Sequence, residues 1–231
     1  PSPRVCSGNF GASLMKEPNK VARCIEALKN SSNLPVTIKH RIGIDEENSF
    51  NKLNNFVKIV ANSGADRFIV HARKAILKGL NPKQNRTIPP LKYEVVQKLK
   101  RNNPNLAIEV NGGFTNIDQC IKAFNEFDSV MVGRAAYKHP LIWSEIDQKI
   151  YGKNIKFKTA SEIIFSLIPY IESHLKQGGE TWDICKHLIN LVENIPKAKI
   201  WRNQISTRSI KKELNIDYLI KLTSELQKMG Y

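Results

Sequence analysis

The sequence predicts an α/β protein in which strand and helix alternate four times before a smaller, purely helical segment. Three observations carry this prediction. Short apolar runs recur at Val36–Arg41, Arg67–Val70, Ala107–Val110 and Ser129–Val132, as the buried strands of a parallel sheet do. Helical periodicity fills the intervals between them. From about Lys158 onward the apolar residues keep the helical period alone.

Taken in order, residues 1–13 read as a polar, glycine-containing loop, and Val21, Ile25 and Leu28 mark a helix over 18–30. Pro35 precedes the first strand, whose outer end, Lys39-His40-Arg41, is strongly basic. Polar residues at 45–48 suit a helix start, and Phe50, Leu53, Phe56, Val57 and Val60 form one face of a helix that stops at Gly64. The second strand runs into His71-Ala72-Arg73-Lys74. Residues 75–90 form a long loop rich in Asn, Lys, Arg and Pro, of a length that often carries function. Leu91, Val95, Val96 and Leu99 mark the next helix. The third and fourth strands each end in a glycine-bearing turn, Asn111-Gly112-Gly113 and Gly133-Arg134, that leads into a helical pattern. Alternation of this kind places the polar strand ends on one edge of the sheet. A boundary falls at 152/153, and the later helices present Ile163, Ile164, Leu167 and Ile171, then Ile184, Leu188, Leu191 and Val192, then Tyr218, Leu219, Leu222 and Leu226.

The composition, 41% hydrophobic and 25% charged over 231 residues, is that of a globular protein. Its outlier is a net charge of +15. A basic surface of that size suits a polyanionic partner, of which nucleic acid is the commonest, although a coding bias toward Lys, Asn and Ile produces the same excess. Cys6, Cys24, Cys120 and Cys185 are scattered without metal-ligand spacing, which predicts neither metal nor disulfide and fits a reducing, cytoplasmic setting. No apolar run reaches the ~18 residues of a membrane span. The opening Pro1-Ser2-Pro3-Arg4 lacks an initiator methionine and suggests a chain cut from something longer.

Two adjacent strand–glycine–helix turns can hold a phosphate, because glycine admits close backbone approach and helix N-termini present free N–H groups, with Arg134 as a charge-assisted partner. The same glycines also serve as plain loop punctuation. Basic residues crowd the middle of the helical segment at Lys197, Lys199, Arg202, Arg208, Lys211 and Lys212, with Trp201 among them. A basic surface carrying an aromatic fits RNA recognition, but a tryptophan packed in the helical core among solvated charges gives the same sequence, and buried aromatics are common.

Several motifs become specific in combination: KHRIG at 39–43, HARKA at 71–75, NPKQNRTIPPL at 81–91, NGG at 111–113, VGRAAY at 132–137 and NIPKAKIWR at 194–202, after the opening PSPRVCSGNFGASLM. Together they resemble the tRNA-dihydrouridine synthases, in particular those acting on positions 20 and 20a of the D-loop, over nearly the whole chain. The resemblance implies the C-terminal half of a (β/α)8 TIM barrel over 1–152 and a small all-α, tRNA-binding domain over 153–231. It also implies FMN as cofactor and NADPH as reductant, with hydride passing from flavin to C6 of a flipped-out uridine and a cysteine giving the proton to C5. By position, Lys39 and His71 contact the isoalloxazine and ribityl region, and Asn111, Gly112, Gly113, Gly133 and Arg134 hold the phosphate. Arg41, Arg73 and Lys74 meet the uridine or the RNA backbone, as Lys197, Lys199 and Arg202 do from the helical domain. A cation near the flavin agrees with the chemistry, since protein electrostatics tunes a reduced flavin.

The chain departs from the family at its first residue. In the resembling enzymes the proton donor lies in an Asn-x-Gly-Cys-Pro turn, and Pro1 matches the proline of that turn, so the cysteine is expected immediately before Pro1. Cys6 lies too far along to replace it, since a general acid must first reach the reacting atom. Four strands of an eight-stranded barrel leave exposed edges and an uncovered inner layer. The expectation is a fragment, inactive and poorly stable alone unless a separately encoded half-barrel completes it. Two alternatives stand beside it: a non-catalytic tRNA-binding remnant, and another FMN barrel acting on a free pyrimidine.

Overall fold

A computed structural model of the chain describes residues 5, 8, 10–47, 49–156 and 158–231. Part of the opening motif, including Pro1 and Cys6, and the expected helix-start residue Asn48 lie outside them. The chain divides into two compact units, Pro1–Val132 and Gly133–Tyr231.

In the first unit, four strands, β1 (Thr37–Arg41), β2 (Arg67–His71), β3 (Ile108–Asn111) and β4 (Ser129–Met131), form one sheet in the order β1-β2-β3-β4. All three pairings are parallel. Helix α1 (Pro18–Ser31) precedes β1, and α2 (Phe50–Asn62), α3 (Tyr93–Asn102) and α4 (Ile117–Ala123) fill the crossovers. Parallel strands need such connections, because a tight turn cannot return the chain in the same direction.

The period-2 pleat divides the sheet into two unlike faces. Phe68 and Val70 of β2 and Ile108 and Val110 of β3 turn to one side, where Val21 and Ile25 of α1, Leu53, Phe56, Val57 and Val60 of α2, and Val96 and Leu99 of α3 bury them. Burial of a side chain this size is worth about 2 kcal/mol, so this face holds the unit together. The other face carries Lys39, Arg41, Arg67, His71, Glu109 and Asn111 in register. There Arg67 meets Glu109 at 2.7 Å.

Local chemistry sets the helix ends. The Ser49 side chain accepts the Lys52 amide at 3.2 Å and so caps α2. Gly64, at φ 92°, ends it in a conformation open to glycine. Two expectations shift here: Leu28 is 53% exposed although its helix forms, and Leu91 stands ahead of α3, at the sheet's end, because the helix begins only at Tyr93.

The second unit has helices and no strand among its described residues: α5 (Arg134–Lys138), α6 (Ile146–Lys149), α7 (Ala160–Lys176), α8 (Thr181–Leu188), α9 (Ala198–Ile210) and α10 (Ile216–Lys228). Ile164 and Ile171, Cys185 and Leu188, Trp201 and Ile205, and Leu219, Leu222 and Leu226 make its core. It starts at Gly133, ahead of the boundary expected at 152/153. The reason is side-chain pairing: Tyr137 Oη lies 2.9 Å from His187 Nδ1, Asn190 donates to the Tyr137 carbonyl, and His139 lies 2.9 Å from Glu193. These contacts fasten the segment after β4 to the helical bundle.

Candidate functional site

The parallel register brings Arg41, His71, Asn111 and Met131 side by side at the C-terminal ends of the four strands. In open α/β sheets ligands bind outside this edge. The polar face of the sheet runs up to it, so the cations that the sequence placed on separate strands share one rim.

Asn111 organises the rim. Its Oδ1 accepts from Lys39 Nζ at 3.0 Å, across the intervening β2, and its Nδ2 donates to the Met131 carbonyl at 2.7 Å. Lys39 is exposed, yet its ammonium stands against the strand ends, where desolvation and the Arg41 charge hold its pKa below the ordinary lysine range. Neighbouring His40 points the opposite way, into the helix-covered face. There it is 6% exposed, with its ring edge-on to Phe56 and Phe68 at 5.3 and 6.1 Å. Its Nδ1 lies 2.7 Å from the Arg41 carbonyl, which fixes the proton on that nitrogen. Burial, with Lys39 adding to it, lowers the His40 pKa to about 4 against the opposing pull of that hydrogen bond.

Gly112 and Gly113 follow Asn111 with φ of 115° and 82°. A Cβ at Gly112 would stand 2.8 Å from His71 Cδ2, and one at Gly113 would stand 2.8 Å from the Tyr93 hydroxyl. His71 is therefore packed edgewise against bare backbone, and Tyr93 donates to the Gly112 carbonyl. The turn does not pass directly into a helix: α4 starts at Ile117, and Asn116 takes the Gln119 amide for its own cap at 2.9 Å. Any anion at this turn meets glycine backbone rather than a helix N-terminus. Gly133 and Arg134 belong to the second unit, where Gly133 precedes α5 and Arg134 is exposed.

The remaining cations of the rim point into protein. Arg41 Nη1 donates to the carbonyls of Lys74 at 3.2 Å and Asn85 at 2.9 Å. Desolvation, then the charges of Arg73 and Arg86, lower its pKa to about 10. Arg73 donates to the carbonyls of Thr87 and Pro89, and Lys74 Nζ to that of Asp45 at 3.2 Å. The long loop is ordered by a residue that sequence reasoning passed over: Asn85, 0% exposed, bonds with both its side-chain oxygen and nitrogen inside it. The available signal was an asparagine within the NPKQNRTIPPL motif itself.

In the second unit, Lys197, at φ 62°, precedes α9, and Lys199 is exposed on its first turn. Arg202 is half-buried and reaches the Val192 carbonyl at 3.4 Å. Trp201 is 4% exposed and belongs to the helical core, which decides between its two readings. Among the described residues no group of three or more His, Cys, Asp or Glu could hold a metal ion, and no helix is long and apolar enough to cross a membrane. Of the described cysteines, Cys24 lies on α1, Cys120 is buried on α4, and Cys185 is buried on α8 with its pKa pushed up to about 12 by desolvation.

A family description of dihydrouridine synthase matches residues 1–227. The chain belongs to the dihydrouridine synthase family. It is 49% identical over 210 residues to a tRNA-dihydrouridine(20/20a) synthase of Synechocystis sp., covering 91% of this chain and 63% of that protein. It is 44% identical over 222 residues to the synthase of that name from Shewanella oneidensis (96% and 66%), and 42% identical over 231 residues to that from Vibrio parahaemolyticus (98% and 71%). The chain thus spans about two thirds of the length of these dihydrouridine synthases.

Proposed function

We propose that this chain is the flavin- and RNA-binding part of an enzyme that reduces uridine to dihydrouridine at position 20 or 20a of tRNA, with FMN as cofactor and NADPH as reductant. On this reading the four strands are the C-terminal half of a (β/α)8 barrel, and an all-α tRNA-binding domain follows.

The carrying observation is the Lys39–Asn111 pair, 3.0 Å apart beside the bare backbone of Gly112 and Gly113. The donor set fits FMN: an ammonium and a carboxamide for the polar edge of a flavin, and a glycine turn free of Cβ atoms for a phosphate. Bound there, the flavin supplies the hydride. Lys39 contributes a positive charge beside the ring, held by Asn111 in one place, and such preorganised charge is worth more at a rim partly screened from water. His71, packed on Gly112, limits how the ring and ribityl chain can lie. Arg41, Arg73 and Lys74 give the same rim a positive field for the RNA, with Lys197, Lys199 and Arg202 serving the RNA from the second unit.

The test is a fluorescence titration of the chain with FMN and with riboflavin, paired with tRNA gel shifts. FMN is expected to bind at least about tenfold more tightly than riboflavin, the scale of one charged hydrogen-bond site, and Lys39→Met to remove most flavin affinity. Equal affinity for the two flavins, or none for either, overturns the reading. RNA binding without flavin binding favours the tRNA-binding remnant, and flavin binding without RNA binding favours a barrel acting on a free pyrimidine.

A further inference from the structure

We propose that Asn85 is a positioning residue that sets the guanidinium of Arg41 at the rim by shaping the loop over residues 76–90. The proposal deepens the reading above, in which Arg41 contributes to the positive field of the rim for the RNA.

Asn85 carries no exposed surface, yet every polar atom of its side chain is used. Its Oδ1 accepts the Ile76 amide at 2.8 Å, and its Nδ2 donates to the carbonyls of Ile76 at 2.8 Å and Leu80 at 3.1 Å. The loop is therefore closed around one carboxamide, since each buried group left unpaired would carry a desolvation penalty. The closed loop directs the Asn85 main-chain carbonyl outward to Arg41 Nη1, 2.9 Å away. Arg41 needs that acceptor. The charges of Arg73 and Arg86 oppose its guanidinium, which donates instead to neutral carbonyls, those of Asn85 and Lys74. Without the carbonyl of Asn85 the guanidinium loses one of two anchors and turns away from its neighbours. A buried asparagine that merely staples a loop would have no such dependent.

The test uses the full chain with Asn85→Ala, Arg41→Ala and the double variant. Two readouts are taken. The first is the Arg41 Nε–H resonance, assigned by its absence in Arg41→Ala. It is expected to shift in Asn85→Ala while strand amides of β2 and β3 keep their resonances, and an unmoved Arg41 signal overturns the proposal. The second is tRNA affinity as a double-mutant cycle: each single variant is expected to weaken binding about tenfold, and the double no more than either, as coupled groups do. Losses that multiply overturn the proposal. If Asn85→Ala fails to fold, Asn85→Asp keeps the volume and the acceptor for Ile76 while removing the donors, and the same two outcomes decide. A parent chain that binds no tRNA removes the functional reading, and the Arg41 resonance alone then decides the role of Asn85.

Discussion

At the scale of single residues, the site depends on atoms that are missing as much as on those present. Gly112 combines a φ of 115° with a Cβ position 2.8 Å from His71. Gly112→Ala should therefore cost about 3 kcal/mol in urea unfolding, part from the backbone and part from overpacking. Flavin affinity should fall with it. His40 gives a pH signature. Its pKa drops from 6.5 unfolded to about 4 folded, so the folded protein binds fewer protons between those values. Stability is then full above pH 6.5 and declines as pH falls toward 4, by about 3 kcal/mol from this group. His40→Phe, seated between Phe56 and Phe68, should flatten that decline in melts recorded from pH 7 to pH 4.5. An equally steep decline in the variant would assign it elsewhere. The basic run at 39–41 was legible as a strand end in the sequence. Alternation sets its central histidine opposite the cations on either side, but does not announce that the histidine's face is the one the helices cover, where a neutral imidazole stands in an apolar row.

At the scale of elements, strand and helix identity followed from periodicity, while their ends followed from local hydrogen bonds. Helix α7 opens with a capping box in which Thr159 and Glu162 satisfy each other's backbone amides. Thr159→Ala should cost about 1 kcal/mol, the usual worth of such a cap. Chemical denaturation followed by tryptophan fluorescence, whose Trp201 signal arises in the helical core, reads that loss; an unchanged midpoint would show the cap to be dispensable. The loop over 75–90 was readable as long and functional but not as ordered. Its order comes from Asn85, Asn81 and Gln84 bonding to backbone across short separations, and side chains of this type look the same in a sequence whether they bond inward or face water. The helix after Gly113 also starts later than the glycine pattern suggests, because Asn116 supplies a better cap than either glycine.

At the scale of the whole molecule, the net charge of +15 is the property that a polyanionic partner would feel first. Binding of tRNA should weaken steeply as salt rises from 50 to 200 mM, with a log–log slope of about −4 to −6 if some six phosphates are neutralised. A filter-binding series checks this, and a flat dependence would detach the charge from RNA recognition. The alternation of four strands with helices, the parallel direction and the family were determined by the sequence itself, because apolar period and ordered motifs are local and survive without coordinates. The tertiary structure decided which side each strand residue takes, how Lys39 reaches Asn111 across a strand, and where the chain divides. Those depend on register and on contacts between residues tens of positions apart, such as Tyr137 with His187 and Arg41 with Asn85, and no local pattern encodes a distance in space.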